Sequence, residues 1–336
     1  MTETLTARRE LAELVDDAGG RVVCLAMSKD PNAKVTLLLF RTGEDLPGFV
    51  AKVPTTDVAV HSVLREASSL AYVGGLELGP IADTIPRLVS IAGHCGRPVL
   101  VTTALPGQLM LAAYHAWRHT ARAAAVRADF DAAGQWLAEL QQHTAHGRSE
   151  LADALGPAAA VIAERYGAEP GLAGDLDELA ALRGRLAAHD VPQVVVHGDF
   201  WPGNLLLSGG TVRGVIDWEC ARPDGLPTRD LARFMISYSL YLDRHTRTGR
   251  PVTGHQGLRA GQWGCGLEYA VNGTGWYPEL ARGFVTDGLR RLGVPADLWR
   301  DVVLAELACI AAEADHPDFG RSHLLLLRRL SETGGR

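Results

Sequence analysis

The spacing of apolar positions divides the chain into a strand-rich start and a long helical remainder. A short amphipathic helix is predicted over residues 3–18, with Leu5, Leu11 and Leu14 toward one side and Gly19-Gly20 closing it. Strands are predicted at 21–27, 34–40 and 49–53, with a turn at 28–33 between the first two. A helix follows at 58–73 and ends at Gly74-Gly75, and two more strands, 87–91 and 98–103, are joined by residues 92–96. Ala104-Leu105-Pro106-Gly107 breaks the pattern. Beyond it, helical spacing predicts a long helix over about 121–145 with Phe130, Leu137 and Leu140 on its apolar side, then helices near 157–167, 174–188 and 295–314. Trp136 and His143 read as ordinary core and surface positions of the long helix.

One interruption of the helical region is different. Val194-Val195-Val196 reads as a buried strand that stops at His197-Gly198-Asp199. Asn204 lies five residues beyond the aspartate, and Leu205–Leu207 and Thr211–Ile216 flank Ser208-Gly209-Gly210 as a hairpin that ends at Asp217. Transfer of a phosphoryl group from a nucleotide requires a carboxylate at the attacking hydroxyl and oxygen ligands for Mg²⁺ on the phosphates. Asp199, Asn204 and Asp217 supply those residue types, in the spacing H-x-D-x-x-x-x-N followed by an aspartate. With 12 histidines and three asparagines in the chain, the spacing alone would arise by chance in roughly one such sequence in a hundred or two. The flanking strand, the hairpin and the second aspartate make chance a poor account, and two surface aspartates beside a hairpin are the bland alternative.

These residues resemble the aminoglycoside phosphotransferase family, within the protein-kinase-like small-molecule kinases. Like that family, the chain has glycine after the histidine and Ile216-Asp217-Trp218-Glu219 in place of D-F-G, and Gly225–Ala232 resembles its next segment, where an aspartate, here Asp230, opens a helix. The resemblance implies an α+β, two-lobed kinase-like fold. Residues 1–103 would be a nucleotide-binding N-lobe with a five-stranded antiparallel sheet and one helix. Residues 104–336 would be a mostly helical C-lobe carrying the catalytic loop and the acceptor site. It further implies ATP or GTP as donor, Mg²⁺ as cofactor and a small-molecule hydroxyl as acceptor: an aminoglycoside, another antibiotic or a sugar. A catalytically weak nucleotide-binding module is the alternative, disfavoured because the full residue set is present. A metallophosphoesterase would need an Asn-His-Glu element that the chain lacks.

Within that frame each residue has an expected role. Asp199 is the base, or the group that orients the acceptor hydroxyl. Asn204 and Asp217 are metal ligands, while His197 and Asp230 support the loop. Lys52, on the third strand, and Glu66, in the helix, are the ion pair that directs a lysine to the α- and β-phosphates. Only three of the 33 basic residues are lysine (Lys29, Lys34, Lys52), so a lysine at a given position is about a one-in-a-hundred event and a compact phosphate-reaching charge is a reason for it. Lys29 and Lys34 read as turn and strand-edge residues. Ser28 and the backbone of residues 28–33 would cap the phosphates, although this turn lacks the glycines of protein kinases and Pro31 offers no donor. Thr103 and Ala104 would meet the adenine edge at the hinge.

Bulk properties narrow the alternatives. Hydrophobic content of 47% and charged content of 21% are those of a globular chain. The net charge of −6 is spread over both halves, with 12 acidic and 10 basic residues before residue 104, so no nucleic-acid footprint appears. No membrane-spanning run and no signal-peptide core are visible, and five scattered cysteines read as reduced thiols, so a cytoplasmic location is expected. The acceptor stays open at this level. Glu268, Asp315 and Asp318 would suit a polycation, whereas Arg244, Arg247 and Arg250 would suit an anion or a sugar equally well. The aromatic and glycine-rich stretch 263–277 reads as a packed loop or as a stacking surface for a ring.

Overall fold

A computed structural model describes residues 21–27 and 31–334. The helix expected over 3–18, Ser28 and Lys29 lie outside the described residues. The chain forms two compact units: residues 1–107 with 213–221, and residues 108–212 with 222–336.

In the first unit the strands are β1 (Arg21–Met27), β2 (Lys34–Phe40) and β3 (Pro47–Pro54), followed by helix α1 (Asp57–Val73) and strands β4 (Leu88–His94) and β5 (Arg97–Thr103). They make one antiparallel sheet in the order β1-β2-β3-β5-β4. The β4–β5 turn shrinks to Cys95-Gly96, both at positive φ (48° and 76°), which matches the twist of a two-residue hairpin and lets both strands run longer than their apolar residues alone suggest. Leu39, Ala51, Ala92, Val99 and Val101 form the buried core of the sheet. Helix α1 starts on Thr56, whose hydroxyl accepts from the Ala59 amide, and buries Ala59, Ser62, Val63, Glu66, Ala67, Leu70 and Val73. A glutamate thus stands in a stripe that the helical period reserves for apolar residues.

The second unit is mainly helical. Its first elements are β6 (Gln108–Leu109), α2 (Met110–Tyr114), α3 (Ala123–Thr144), β7 (His146–Glu150), α4 (Leu155–Arg165) and α5 (Leu172–Leu186). Then come β8 (Asp190–Val196), β9 (Leu205–Ser208) and β10 (Thr211–Val215), along which the chain passes into the first unit before returning at β11 (Arg222–Gly225). The remaining helices are α6 (Thr228–Leu240), α7 (Cys265–Asn272), α8 (Trp276–Arg291), α9 (Trp299–Glu313) and α10 (Pro317–Gly334). Strand β8 starts four residues before its valine run because its polar end pairs with β7, Gln193 opposite His146 and Asp190 opposite Glu150. A buried aromatic set of Phe130, Phe234, Tyr238 and Tyr277 joins α3, α6 and α8, and Trp136 stacks on Phe200 at 5.4 Å. Within stretch 263–277 helix α7 packs closely on α6, since a Cβ on Gly266 would lie 2.2 Å from the Ser239 carbonyl oxygen and only glycine fits there, while Trp263 stays 41% exposed. Among the described residues no helix is long and apolar enough to cross a membrane.

Two histidines are sealed inside this unit. His323 is 1% exposed against Trp263 and Phe319, and His255 is 2% exposed against Trp276 and Tyr277. Burial holds both imidazoles down to about 4, against an ordinary 6.5. Between those values the unfolded chain binds protons that the folded one refuses, so stability is present above pH 6.5 and is lost as pH falls toward 4. Acidification from pH 7 to pH 5 is therefore expected to cost on the order of 1–2 kcal/mol per imidazole. Urea unfolding midpoints at the two pH values measure the loss. His323→Phe should flatten the dependence, and an equally steep slope in that variant would remove His323 from the account.

Candidate active site

In the first unit, the pairing of β3 with β2 and β5 brings Lys52 opposite Thr36 and Leu100, where its side chain meets α1. Its ammonium donates to both oxygens of Glu66 (2.6 Å each) and to Asp217 Oδ1 (2.6 Å). Burial alone would lower the lysine pKa, but the charges of Asp217 and Glu66 outweigh it and hold the group above its ordinary value. Asp217 reaches it from a left-handed backbone (φ 72°, ψ 59°), a conformation aspartate tolerates better than most residues. The single 3₁₀ turn that follows is pinned by Trp218, which is fully buried and donates from Nε1 to the Val215 carbonyl at 2.8 Å.

A second charged pair adjoins this one. Lys34, read from sequence as a strand-edge residue, is instead largely enclosed: its ammonium bonds Glu219 and donates to Ser62 Oγ at 3.0 Å. Ser62 also bonds Glu219, and Asn32 Nδ2 donates to Glu219 Oε1 at 2.8 Å. Glu66, Asp217 and Glu219 bring carboxylate oxygens within 4.8 Å of one another, balanced by two lysines. Sequence reasoning missed the Lys34–Glu219 pair, and the signal was available in the rarity of lysine. At the end of β5, Ala104 donates its N–H to the Gly48 carbonyl (3.0 Å) and Thr103 Oγ1 accepts from the Arg87 amide (3.0 Å), so Ala104 retains its carbonyl for any further partner.

In the second unit, β8 delivers the loop 197–204. Gly198 sits at φ 79°, which suits glycine, and Asp230, early in α6, accepts the amides of His197 (2.7 Å) and Gly198 (2.9 Å) on its two oxygens. His197 is fully buried and its Nδ1 accepts the Asp199 amide at 3.3 Å. Asn204 Nδ2 donates to the Asp199 carbonyl (2.9 Å) and to Asp199 Oδ2 (3.0 Å), which frees its own oxygen to act as a ligand. A Cβ on Gly203 would lie 2.3 Å from the Trp201 ring, so this glycine makes room for the indole to fold over the loop.

Arg233 is a residue the sequence did not flag. Its Nη1 lies 3.6 Å from Asp199 Oδ1, while Nε donates to buried Glu306 at 2.8 Å. Glu306 also receives Arg229 Nε (2.9 Å), and Arg229 is paired with Glu313. Burial opposes the charge on Arg233, but Glu306 and Asp199 hold it protonated. Nothing in an arginine-rich sequence distinguishes Arg233 from its neighbours; only the register of α6 shows what it faces.

Hard oxygen donors, a carboxylate and an amide, are what Mg²⁺ accepts, and Asn204 and Asp217 fit that chemistry. The phosphotransferase enzyme family profile matches residues 38–263. Homoserine kinase from Gluconacetobacter diazotrophicus is 34% identical over 137 residues, covering 38% of this chain and 39% of the relative. The chain thus spans about two fifths of the length of that curated relative. A thermostable mutant of aminoglycoside phosphotransferase APH(4)-Ia superposes with a TM-score of 0.59 at 14% identity, over 96% of this chain and 98% of that one. A ternary complex of that enzyme with ADP and hygromycin B superposes with a TM-score of 0.53 at 14% identity, over 95% and 97%. With the profile spanning most of the chain and its fold shared by solved aminoglycoside kinases, the chain belongs to the phosphotransferase enzyme family.

Proposed function

We propose that the chain is an O-phosphotransferase that moves the γ-phosphoryl group of ATP, or of GTP, to the hydroxyl of a small molecule. The observation that carries this reading is the placement of the Lys52 ammonium between Glu66 and Asp217, a lysine held charged and aimed by two carboxylates. Family membership and similarity to a homoserine kinase and an aminoglycoside kinase support a small hydroxyl acceptor. Residues 1–103 would then hold the nucleotide and residues 104–336 the acceptor. Any part played by Ser28, Thr103 and Ala104 would be to border the nucleotide.

The chemistry assigned to each group follows from its surroundings. Asp199 orients the acceptor hydroxyl and takes its proton as the new O–P bond forms and the bond to the β,γ-bridging oxygen breaks, releasing nucleoside diphosphate. Its two oxygens are already engaged, one by Asn204 and one facing Arg233, so the carboxylate is fixed before substrate arrives. Mg²⁺, held by Asn204 and Asp217, would neutralise phosphate charge. Lys52 would place its compact charge on the α- and β-phosphates, and Asp230 and His197 would keep the loop in shape.

Asp199→Asn should lower turnover by about 10²–10⁴ while nucleotide binding stays close to wild type. Wild-type turnover in a coupled ADP-release assay would remove Asp199 from the chemistry. Asp217→Asn should weaken binding of Mg-nucleotide, read by calorimetry with and without Mg²⁺; an unchanged affinity would end its role as ligand. Lys52→Ala should reduce activity strongly, and Lys52→Arg should rescue it poorly because a planar fork cannot replace a point charge at that reach. Substantial activity in Lys52→Arg, measured as kcat/KM for nucleotide, would show that a positive charge without the lysine geometry is enough.

A further inference from the structure

The second unit surrounds Asp199 with positive and aromatic groups. Arg233 faces the carboxylate at 3.6 Å. Trp201 lies 6.4 Å, ring to ring, from Tyr241, just past the end of α6, and the Tyr241 phenol is close enough to feel both Asp199 and Arg244. The Arg244 guanidinium sits 5.6 Å from the Tyr241 ring. It also acts on His115, whose Nδ1 lies 3.0 Å from His245 Nε2 with the rings edge to face. Two loops, one after α2 and one after α6, thus bring Arg244 and the His115–His245 pair together, with Arg244 beside the Tyr241 ring.

Two of the carboxylates nearest these loops in the chain already have partners. Asp243 accepts from the Gly261 amide (3.3 Å) and from Cys265 Sγ (3.1 Å). Glu268 pairs with Arg329 at 2.5 Å. By contrast, among the described residues Arg244, Arg247 and Arg250 are in no ion pair, although they fall within one eight-residue stretch. An ammonium-rich acceptor would meet like charge here, whereas an anion would meet a guanidinium fork outside any ion pair and an imidazole N–H.

We infer that the acceptor carries, besides its reacting hydroxyl, an anionic group that Arg244 and the His115–His245 pair bind: a carboxylate or a phosphate ester. This rests on the phosphotransferase reading and names the class of acceptor for it. In the His115–His245 contact one ring donates and the other accepts, so the accepting ring turns an outer N–H toward an anion, and protonation of the pair gives N–H groups on both outer edges, His115 Nε2 and His245 Nδ1. Tyr114 packs edge-on against His115 at 5.3 Å and limits its rotation. Trp201 and Tyr241 supply apolar surface for the carbon skeleton between the two polar ends.

The test uses the full chain with Mg-ATP and acceptors in matched pairs. The pairs are L-homoserine against its amide, D-glycerate against glycerol, and glycerol 3-phosphate against glycerol, with kanamycin as the polycation. At least one acid should exceed its uncharged partner about tenfold or more in kcat/KM, and Arg244→Gln should collapse that ratio. The first two pairs report a carboxylate site and the third a phosphate site. A preference for kanamycin or for the uncharged partners, or a ratio unchanged in Arg244→Gln, overturns the proposal. So does a panel with no responding acid in an enzyme that still hydrolyses Mg-ATP through Asp199, and that outcome leaves the phosphotransferase reading standing. If the chain neither transfers nor hydrolyses, that reading fails, and imidazole NMR with malate or glycerol 3-phosphate decides the anion site by itself. The His115 pKa should rise with either anion in wild type and not in Arg244→Gln; no rise overturns the proposal.

Discussion

The placement of Lys52 is the constraint around which the first unit is organised. An ammonium on a central strand, largely enclosed, is stable only if carboxylates surround it, and a glutamate on the buried stripe of α1 is stable only if a cation reaches it. Each makes the other tolerable. Asp217 joins the same ammonium, so the 213–221 excursion is tied to the sheet and helix by charge as well as by the buried Trp218. A third carboxylate, Glu219, would overload this site with negative charge, and Lys34 answers it. Removing Lys52 leaves Glu66 buried without its cation, which costs more than the intact pair contributes.

The loop that carries Asp199 is held by a different device. Backbone amides at the end of β8 would be orphaned by the turn at Gly198, and the Asp230 carboxylate satisfies two of them at once. Asn204 closes the far side of the loop on the carbonyl and carboxylate of Asp199. Five residues separate the aspartate and asparagine because a loop of that length returns the amide to the carboxylate, and Gly203 under the Trp201 ring makes the return short.

Where periodicity and composition leave a local trace, the sequence was legible. The five strands, α1, the long helix α3 and the hairpin before Asp217 follow from apolar spacing and turn glycines. Lys52 stood out because lysine is scarce, and Glu66 because the kinase-like order of strands and helix puts the partner of that lysine there. Long-range pairings left no such trace. Lys34 and Glu219 are 185 residues apart, and Arg233 and Glu306 are 73 apart; no local pattern encodes either contact. Element ends also shifted for tertiary reasons. The predicted 295–314 helix starts at Trp299, since Ala296–Leu298 form a 3₁₀ turn, and β8 begins early because β7 pairs its polar end.

Helix α6 connects the Asp199 loop to the segment that carries Tyr241 and Arg244. Asp230 and Arg233, three residues apart, share one side of the helix, where the first clamps the loop backbone and the second faces the Asp199 carboxylate. Phe234 and Tyr238 enter the aromatic core, and Tyr238 anchors to the buried carboxylate of Asp129 at 2.7 Å. That anchoring fixes both the rotation and the end point of α6, so Tyr241 and Arg244 emerge from a rigid base rather than a free loop. A charge presented in this way would need little ordering on binding an anion. The same helix therefore sets loop geometry at one end and the placement of Tyr241 and Arg244 at the other, and a change in its packing against α3 would disturb both together.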